Sequence, residues 1–169
     1  LHQWTTHAPG MKVINVEKVN EKIFAATPYE IFYYNTGDNS INKLSKVNGL
    51  SDFGVSVMRY NNNVGVVFVG YSIANIDLIY KDGNVTNVGD IDLIDKDGKV
   101  INISDIKNKN ILADKTIKDV YFINDLAYVC CGFGIVVVDM KRFEIKDTYV
   151  IGENGSYVSV NDLVVYKNK

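Results

Sequence analysis

Arginine occurs twice in these 169 residues, at Arg59 and Arg142; histidine twice, at His2 and His7; cysteine twice, at Cys130 and Cys131; proline twice. Each scarcity removes a class of function. With nearly all positive charge carried by evenly spread lysines and a formal net charge of -2, no basic face exists to neutralise a phosphate backbone, which excludes nucleic acid as a partner. The acidic residues are equally dispersed. Both histidines lie in the first seven residues with no cysteine beside them, and no G-x-S-x-G elbow occurs, so metal ligation and Ser-His-Asp catalysis lack their parts. Adjacent cysteines in an extended chain point to opposite faces, so a bond between Cys130 and Cys131 would be strained. Apolar runs are short and broken by Asn, Asp, Lys and Gly, leaving no bilayer-spanning stretch. The chain opens Leu-His-Gln-Trp, which reads as a processed or trimmed start and says nothing about export.

What is present is repetition. A short apolar strand, a polar turn and a very apolar strand recur as VEKV-NEK-IFAAT (16–27), SVMRY-NNN-VGVVFVG (56–70) and DVYFI-NDL-AYVCCG (119–132), and SVNDLVVY-KNK (159–169) repeats the first strand and turn. Taking Asn20, Asn61, Asn124 and Lys167 as turn markers, the intervals are 41, 63 and 43 residues. A four-stranded propeller blade has a period of roughly 40 to 45. The long interval has a visible cause, because IDLIYKDGNVTNVG (76–89) is followed by IDLIDKDGKVINIS (91–104), a duplication displaced by 15.

Third strands are expected at 30–35, 74–80 and 134–140, and fourth strands at 41–47, 99–103 and 144–151. The inner strands are nearly continuous Val, Ile, Phe and Tyr, implying burial on both faces, while the outer ones alternate. Helical periodicity of useful length is absent. The expected fold is therefore all-β: β-propeller blades of four antiparallel strands in an incomplete propeller of about three blades plus one strand. Its units are an N-terminal segment 1–10, blades at 11–52, 53–106 (with the duplication) and 107–152, and the first strand of a further blade at 153–169. Three blades and a fraction cannot close a ring and leave apolar faces open, so self-association of the chain is expected.

Against that frame the chemical motifs weaken. Cys130-Cys131-Gly132-Phe133-Gly134 could open a dinucleotide fingerprint, but valines follow where a phosphate-binding helix should begin. It reads instead as a strand, a tight turn and a strand, with the thiols as small buried hydrophobes. Asp95-Lys96-Asp97-Gly98 starts like a calcium loop, yet Lys99 stands at the third ligand position and no glutamate closes the loop. It reads as a hairpin turn. Sequons at Asn84, Asn102 and Asn154 are expected by chance in so Asn-rich a chain. No cofactor, metal or catalytic residue is expected, and the chain reads as a non-enzyme.

Function enters through resemblance. Asn48-Gly49-Leu50-Ser51-Asp52 resembles the N-G-L-S-D signature of two-component-regulator propeller repeats. YSIANIDLI (71–79), NISDIK (102–107), DKTI (114–117), GFGIVVVD (132–139) and EIKDT (144–148), in that order, resemble the N-terminal propeller of PorZ-like proteins of the Bacteroidetes type IX secretion system. The resemblance implies an exported protein at the cell surface, outer membrane or periplasm. Its implied role is non-catalytic, a protein-interaction scaffold in an attachment complex that handles secreted proteins and surface lipopolysaccharide. The alternative it leaves open is the extracytoplasmic, glycan-sensing propeller of a hybrid two-component histidine kinase. The interaction surface is expected on loops at one end of the blades, at Asn48, Asp52, Tyr71, Asn75, Asp77 and Phe133. The structural roles competing with it there are a turn at Gly49, a core plug at Leu50 and a local backbone cap at Asp52.

Overall fold

The computed structural model describes residues 12–80 and 111–166, and assigns in addition the strand backbone of three short segments between them. The first sheet contains β1 (Asn15–Val19), β2 (Lys22–Ala26), β3 (Glu30–Asn35) and β4 (Ser40–Ser45). The second contains β5 (Val55–Asn61), β6 (Val66–Tyr71), β7 (Ile76–Tyr80) and β8 (Val85–Asn87). A separate two-stranded ribbon pairs β9 (Leu93–Ile94) with β10 (Val100–Ile101). The last four-stranded sheet contains β11 (Ile117–Ile123), β12 (Leu126–Cys131), β13 (Gly134–Asp139) and β14 (Glu144–Tyr149), and a 3-10 turn follows at Glu153–Gly155. Each four-stranded sheet is an antiparallel meander in sequence order.

Turn chemistry sets the meanders. Asn20 and Asn124 take positive φ, 54° and 53°, in the two-residue connections between Val19 and Lys22 and between Ile123 and Leu126. Asparagine tolerates that region, as hairpin turns require. At the β5–β6 turn the Asn61 Oδ1 accepts from the Asn63 and Val64 amides, and Gly65 carries the positive φ. Between β12 and β13 the chain reverses through Gly132 and Phe133. A Cβ at Gly132 would stand 2.4 Å from the Asp114 carbonyl oxygen, so only glycine fits.

Alternation then stacks the sheets. In β6 every residue is buried. Val67, Val69 and Tyr71 face the first sheet among Phe24, Ile31, Leu44, Leu50 and Met58. Val66 and Phe68 face the third sheet among Ile117, Val129, Val136 and Met140. Each such side chain contributes about 1.5–3 kcal/mol on burial, so the two layers between sheets hold the structure together. Gly70 lies so close beneath the third sheet that a Cβ there would sit 2.7 Å from the Ile117 Cγ2. The first strands of successive sheets lie side by side and are tied by side chains: the Asn15 Oδ1 accepts from the Met58 amide at 3.0 Å, Arg59 pairs with Asp119 at 3.2 Å, and the Asn63 amide nitrogen donates to the Asn124 carbonyl at 3.0 Å. The protein is thus all-β, with four-stranded antiparallel blades packed face to face in an incomplete propeller.

Two expectations need correction. The fourth strand of the second sheet is not 99–103 but β8, separated from β7 by four residues and paired Asp77↔Asn87 and Ile79↔Val85. The second copy of the duplication makes its own ribbon, β9–β10, because each strand pairs with the nearest complementary run. The second difference is at the far end of the chain: residues 156–166 carry no strand assignment. They lie against the third sheet, where the Val160 amide donates to the Cys131 carbonyl of β12 at 3.0 Å and the Lys118 ammonium of β11 donates to the Ser159 hydroxyl and the Asn161 Oδ1. Among the described residues no second strand lies beyond them to complete a ladder. The segment 1–10, the Asp95–Gly98 turn and the sequons at Asn84 and Asn102 lie outside the described residues.

Candidate functional site

The link from β4 to β5 carries the residues with the most specific side-chain bonding. Asn48 folds it: its Oδ1 accepts from the Ser45 amide (2.7 Å) and hydroxyl (2.9 Å), and its Nδ2 donates to the Lys43 carbonyl (2.7 Å). Leu50 drops into the layer between the first two sheets. Ser51 then reaches across to β7, its amide donating to Asp77 Oδ2 at 2.8 Å and its hydroxyl to Asp77 Oδ1 at 2.5 Å. Asp52 turns outward, accepting from the Lys46 ammonium at 3.3 Å and from the Phe53 amide at 2.9 Å.

Asp77 is the centre of this arrangement. Its side chain is fully buried, and the Tyr71 hydroxyl also donates to its Oδ2, at 2.5 Å. Burial first, and the Asp77 carboxylate second, push the Tyr71 hydroxyl far above its ordinary pKa, so Tyr71 stays a donor. Asn75 closes the turn before β7: its carbonyl accepts from the Tyr71 amide and its Oδ1 from the Ile76 amide. Ala74 is held at φ 61° there, a region costly for a residue with a Cβ. Phe133 is 1% exposed and meets the Tyr157 ring edge-on at 6.4 Å.

Of the six residues expected to form an interaction surface, Asn48 therefore is exposed, Asp52 is half-buried, and Tyr71, Asn75, Asp77 and Phe133 are buried. Ser51 was the unmarked member, and its place between Leu50 and Asp52 is the only sequence signal for it. On the same end lie large exposed apolar side chains: Tyr29 (49%), Phe53 (52%) and Ile73 (42%). They are connected in space, because the Gly54 amide donates to the Pro28 carbonyl, the Ser72 amide to the Gly54 carbonyl and the Thr116 hydroxyl to the Ser72 carbonyl. Lys46 sits 5.0 Å above the Phe53 ring, a cation–π contact.

Among the described residues no catalytic constellation assembles at this end. The Ser51 hydroxyl donates to a carboxylate, and Tyr71 is held protonated. Both thiols are buried, and burial pushes Cys130 up to about 11 and Cys131 up to about 12, away from the thiolate that redox chemistry needs. Gly132-Phe133-Gly134 leads into β13 rather than a helix, so no helix N-terminus faces a phosphate. Among the described residues no three His, Cys, Asp or Glu side chains converge on a metal position, and no helix is long and apolar enough to cross a membrane.

Comparison with solved structures agrees with this architecture. PorZ, described as an essential bacterial surface component of the type-IX secretion system of Porphyromonas gingivalis, superposes with a TM-score of 0.67 at 25% identity, over 82% of this chain and 17% of PorZ. The extracellular domain of the putative one-component system BT4673 from B. thetaiotaomicron gives 0.61 at 7% identity, over 88% of this chain and 18% of that one. A chain of the mitotic checkpoint complex gives 0.51 at 8%, over 93% of this chain and 46% of its own. The last two share the fold alone. No curated protein matches the sequence, and the chain spans about a sixth of the PorZ chain it resembles. The sequence pattern of the PorZ N-terminal β-propeller domain of type IX secretion matches residues 23–91 and again 88–169, and the chain belongs to that family.

Proposed function

We propose that this chain is a non-catalytic β-propeller module, a protein-interaction scaffold in a PorZ-like, type IX secretion attachment complex. One observation carries the reading: the PorZ domain pattern covers the chain in two successive matches. The proposed location is outside the cytoplasm, at the outer membrane or cell surface, with proteins of that complex and surface lipopolysaccharide as partners. The proposed units are three blades, 11–52, 53–106 and 107–152, followed by the segment 153–169, whose residues 156–166 carry no strand assignment. The sensor reading is supported by the shared fold alone.

The proposed contact surface is the end carrying Asn48, Asp52, Tyr29, Phe53 and Ile73, and the buried Tyr71, Asn75, Asp77 and Phe133 hold it in shape. Exposed aromatics are the side chains that dominate protein interfaces. The double variant Phe53→Ala, Ile73→Ser, placed in the full-length protein in its native host, is expected to leave the melting temperature within about 2 °C while lowering secretion of type IX cargo and co-purification of the complex. Unchanged secretion and co-purification would overturn the scaffold role of this end.

Both terminal sheets expose apolar side chains on their outward faces, Val16, Ile23 and Ile41 on the first and Tyr121 and Tyr149 on the third. Lys18 lies on the first face and Asp147 on the third, while Lys43 on the first face is already paired with Glu30 at 2.6 Å. The isolated 169-residue chain is accordingly proposed to self-associate. Light scattering at tens of micromolar should give a mass above the monomer's 18.9 kDa, and a monomer throughout would contradict it.

A further inference from the structure

We propose that Asn154 is a site of spontaneous deamidation and that the fold protects the chain's other Asn-Gly pair, at 48–49. Asn followed by Gly is the pair in which ring closure meets least hindrance, because glycine has no Cβ to obstruct the approach. In Asn48 both side-chain groups are held, the carbonyl by Ser45 and the amide by Lys43. Releasing them would also disturb Leu50, which is 3% exposed in the core.

Asn154 has none of these restraints. It is exposed in the Glu153–Gly155 turn, which buries no residue, and it takes no side-chain hydrogen bond among the described residues. Three main-chain bonds of 3.1 Å close the turn: the Gly155 amide to the Gly152 carbonyl, the Ser156 amide to the Glu153 carbonyl and the Gly152 amide to the Ser156 carbonyl. All are exposed to water. Opening such a turn lies at the low end of the free energies of local unfolding, whereas opening the 48–50 link disrupts a packed layer.

Once the turn opens, the Gly155 nitrogen bonds to the Asn154 Cγ. The Cγ–Nδ2 bond breaks, and Nδ2 leaves as ammonia, carrying the proton lost from the Gly155 nitrogen. One water then opens the resulting five-membered imide at either carbonyl, giving aspartate or isoaspartate at position 154. No oxidant or cofactor enters. Either product adds a negative charge beside Glu153, and isoaspartate inserts a methylene into the main chain between β14 and the Val160 anchor, so the Gly152–Ser156 turn cannot re-form its bonds.

The test is peptide mass spectrometry on the full chain after incubation at mildly alkaline pH, since trypsin separates the two sites into peptides 47–59 and 147–167. Peptide 147–167 should gain one mass unit, located by fragmentation to Asn154 and not Asn161, with peptide 47–59 at least about fivefold slower. In urea the two should convert at similar rates, and Asn154→Gln should abolish the gain. Equal rates in the folded chain, an unmodified Asn154, or a slow Asn48 that stays slow when unfolded would each overturn the proposal.

Discussion

Replacing Phe68 with alanine is expected to lower the unfolding free energy by about 4 kcal/mol. The ring is fully buried in β6, the second strand of the middle sheet, and faces Val129, Val136 and Met140 of the third sheet. It also meets Phe122 edge-on at 6.2 Å, an arrangement favourable to aromatic pairs. Backbone from two sheets surrounds the site, so collapse into the vacated volume is limited and the cavity cost adds to the lost transfer energy. Urea denaturation measures the change. A loss under about 1 kcal/mol would show that the second and third sheets do not pack through this ring. Phe53, on the surface, serves as the contrast: its truncation should change stability by no more than about 0.5 kcal/mol.

Asp77→Ala is expected to cost about 3 kcal/mol or more, for a different reason. It removes the acceptor for three donors, the Ser51 amide, the Ser51 hydroxyl and the Tyr71 hydroxyl. Buried donors left unsatisfied cost about 1–3 kcal/mol each, partly offset by any water that enters. Asp77→Asn keeps one acceptor oxygen and should lose less. Tyr71 adds a pH signature. Its folded pKa is raised, so its contribution is fully present below the unfolded value of about 10 and is lost as pH rises above it, because only the unfolded chain then releases the proton. Equal stability of wild type and Asp77→Ala would remove Asp77 from its place as the bond between the link and the second sheet.

The strands were legible because their causes are local. Alternation, continuous Val and Ile runs, and Asn-led turns mark β2, β3, β6, β12 and β13 in the sequence, and β3 falls where 30–35 reads as a strand. Partner choice was less so. The two copies of IDLI-KDG-V carry nearly the same local signal, and periodicity does not say which one completes the second sheet; the short connection from β7 to β8 decides it. The 157–166 run alternates like a strand, but a strand needs a ladder, and that depends on what lies beside it.

Burial at the link was hidden for a related reason. Tyr71, Asn75 and Asp77 sit in and after a polar turn, where sequence suggests solvent. Asp77 is enclosed because Ser51, 26 positions earlier, is brought against it by the stacking of two sheets. Only Leu50, apolar within NGLSD, signalled that this link runs inward. Phe133 follows the same logic: the tight Gly132 turn against Asp114 directs its ring into the core shared with the second sheet.

The central claim is that successive four-stranded sheets stack face to face with their first strands adjacent, and a methyl NOE tests it most directly. Val57 Cγ1 on β5 and Ile117 Cγ2 on β11 both lie within 2.8 Å of the single point where a Gly70 Cβ would stand. A strong cross-peak between these two methyls, from residues sixty positions apart, is the predicted result. Its absence, with cross-peaks instead tying β1 to β14 as in a closed barrel, would contradict the stacked-blade account.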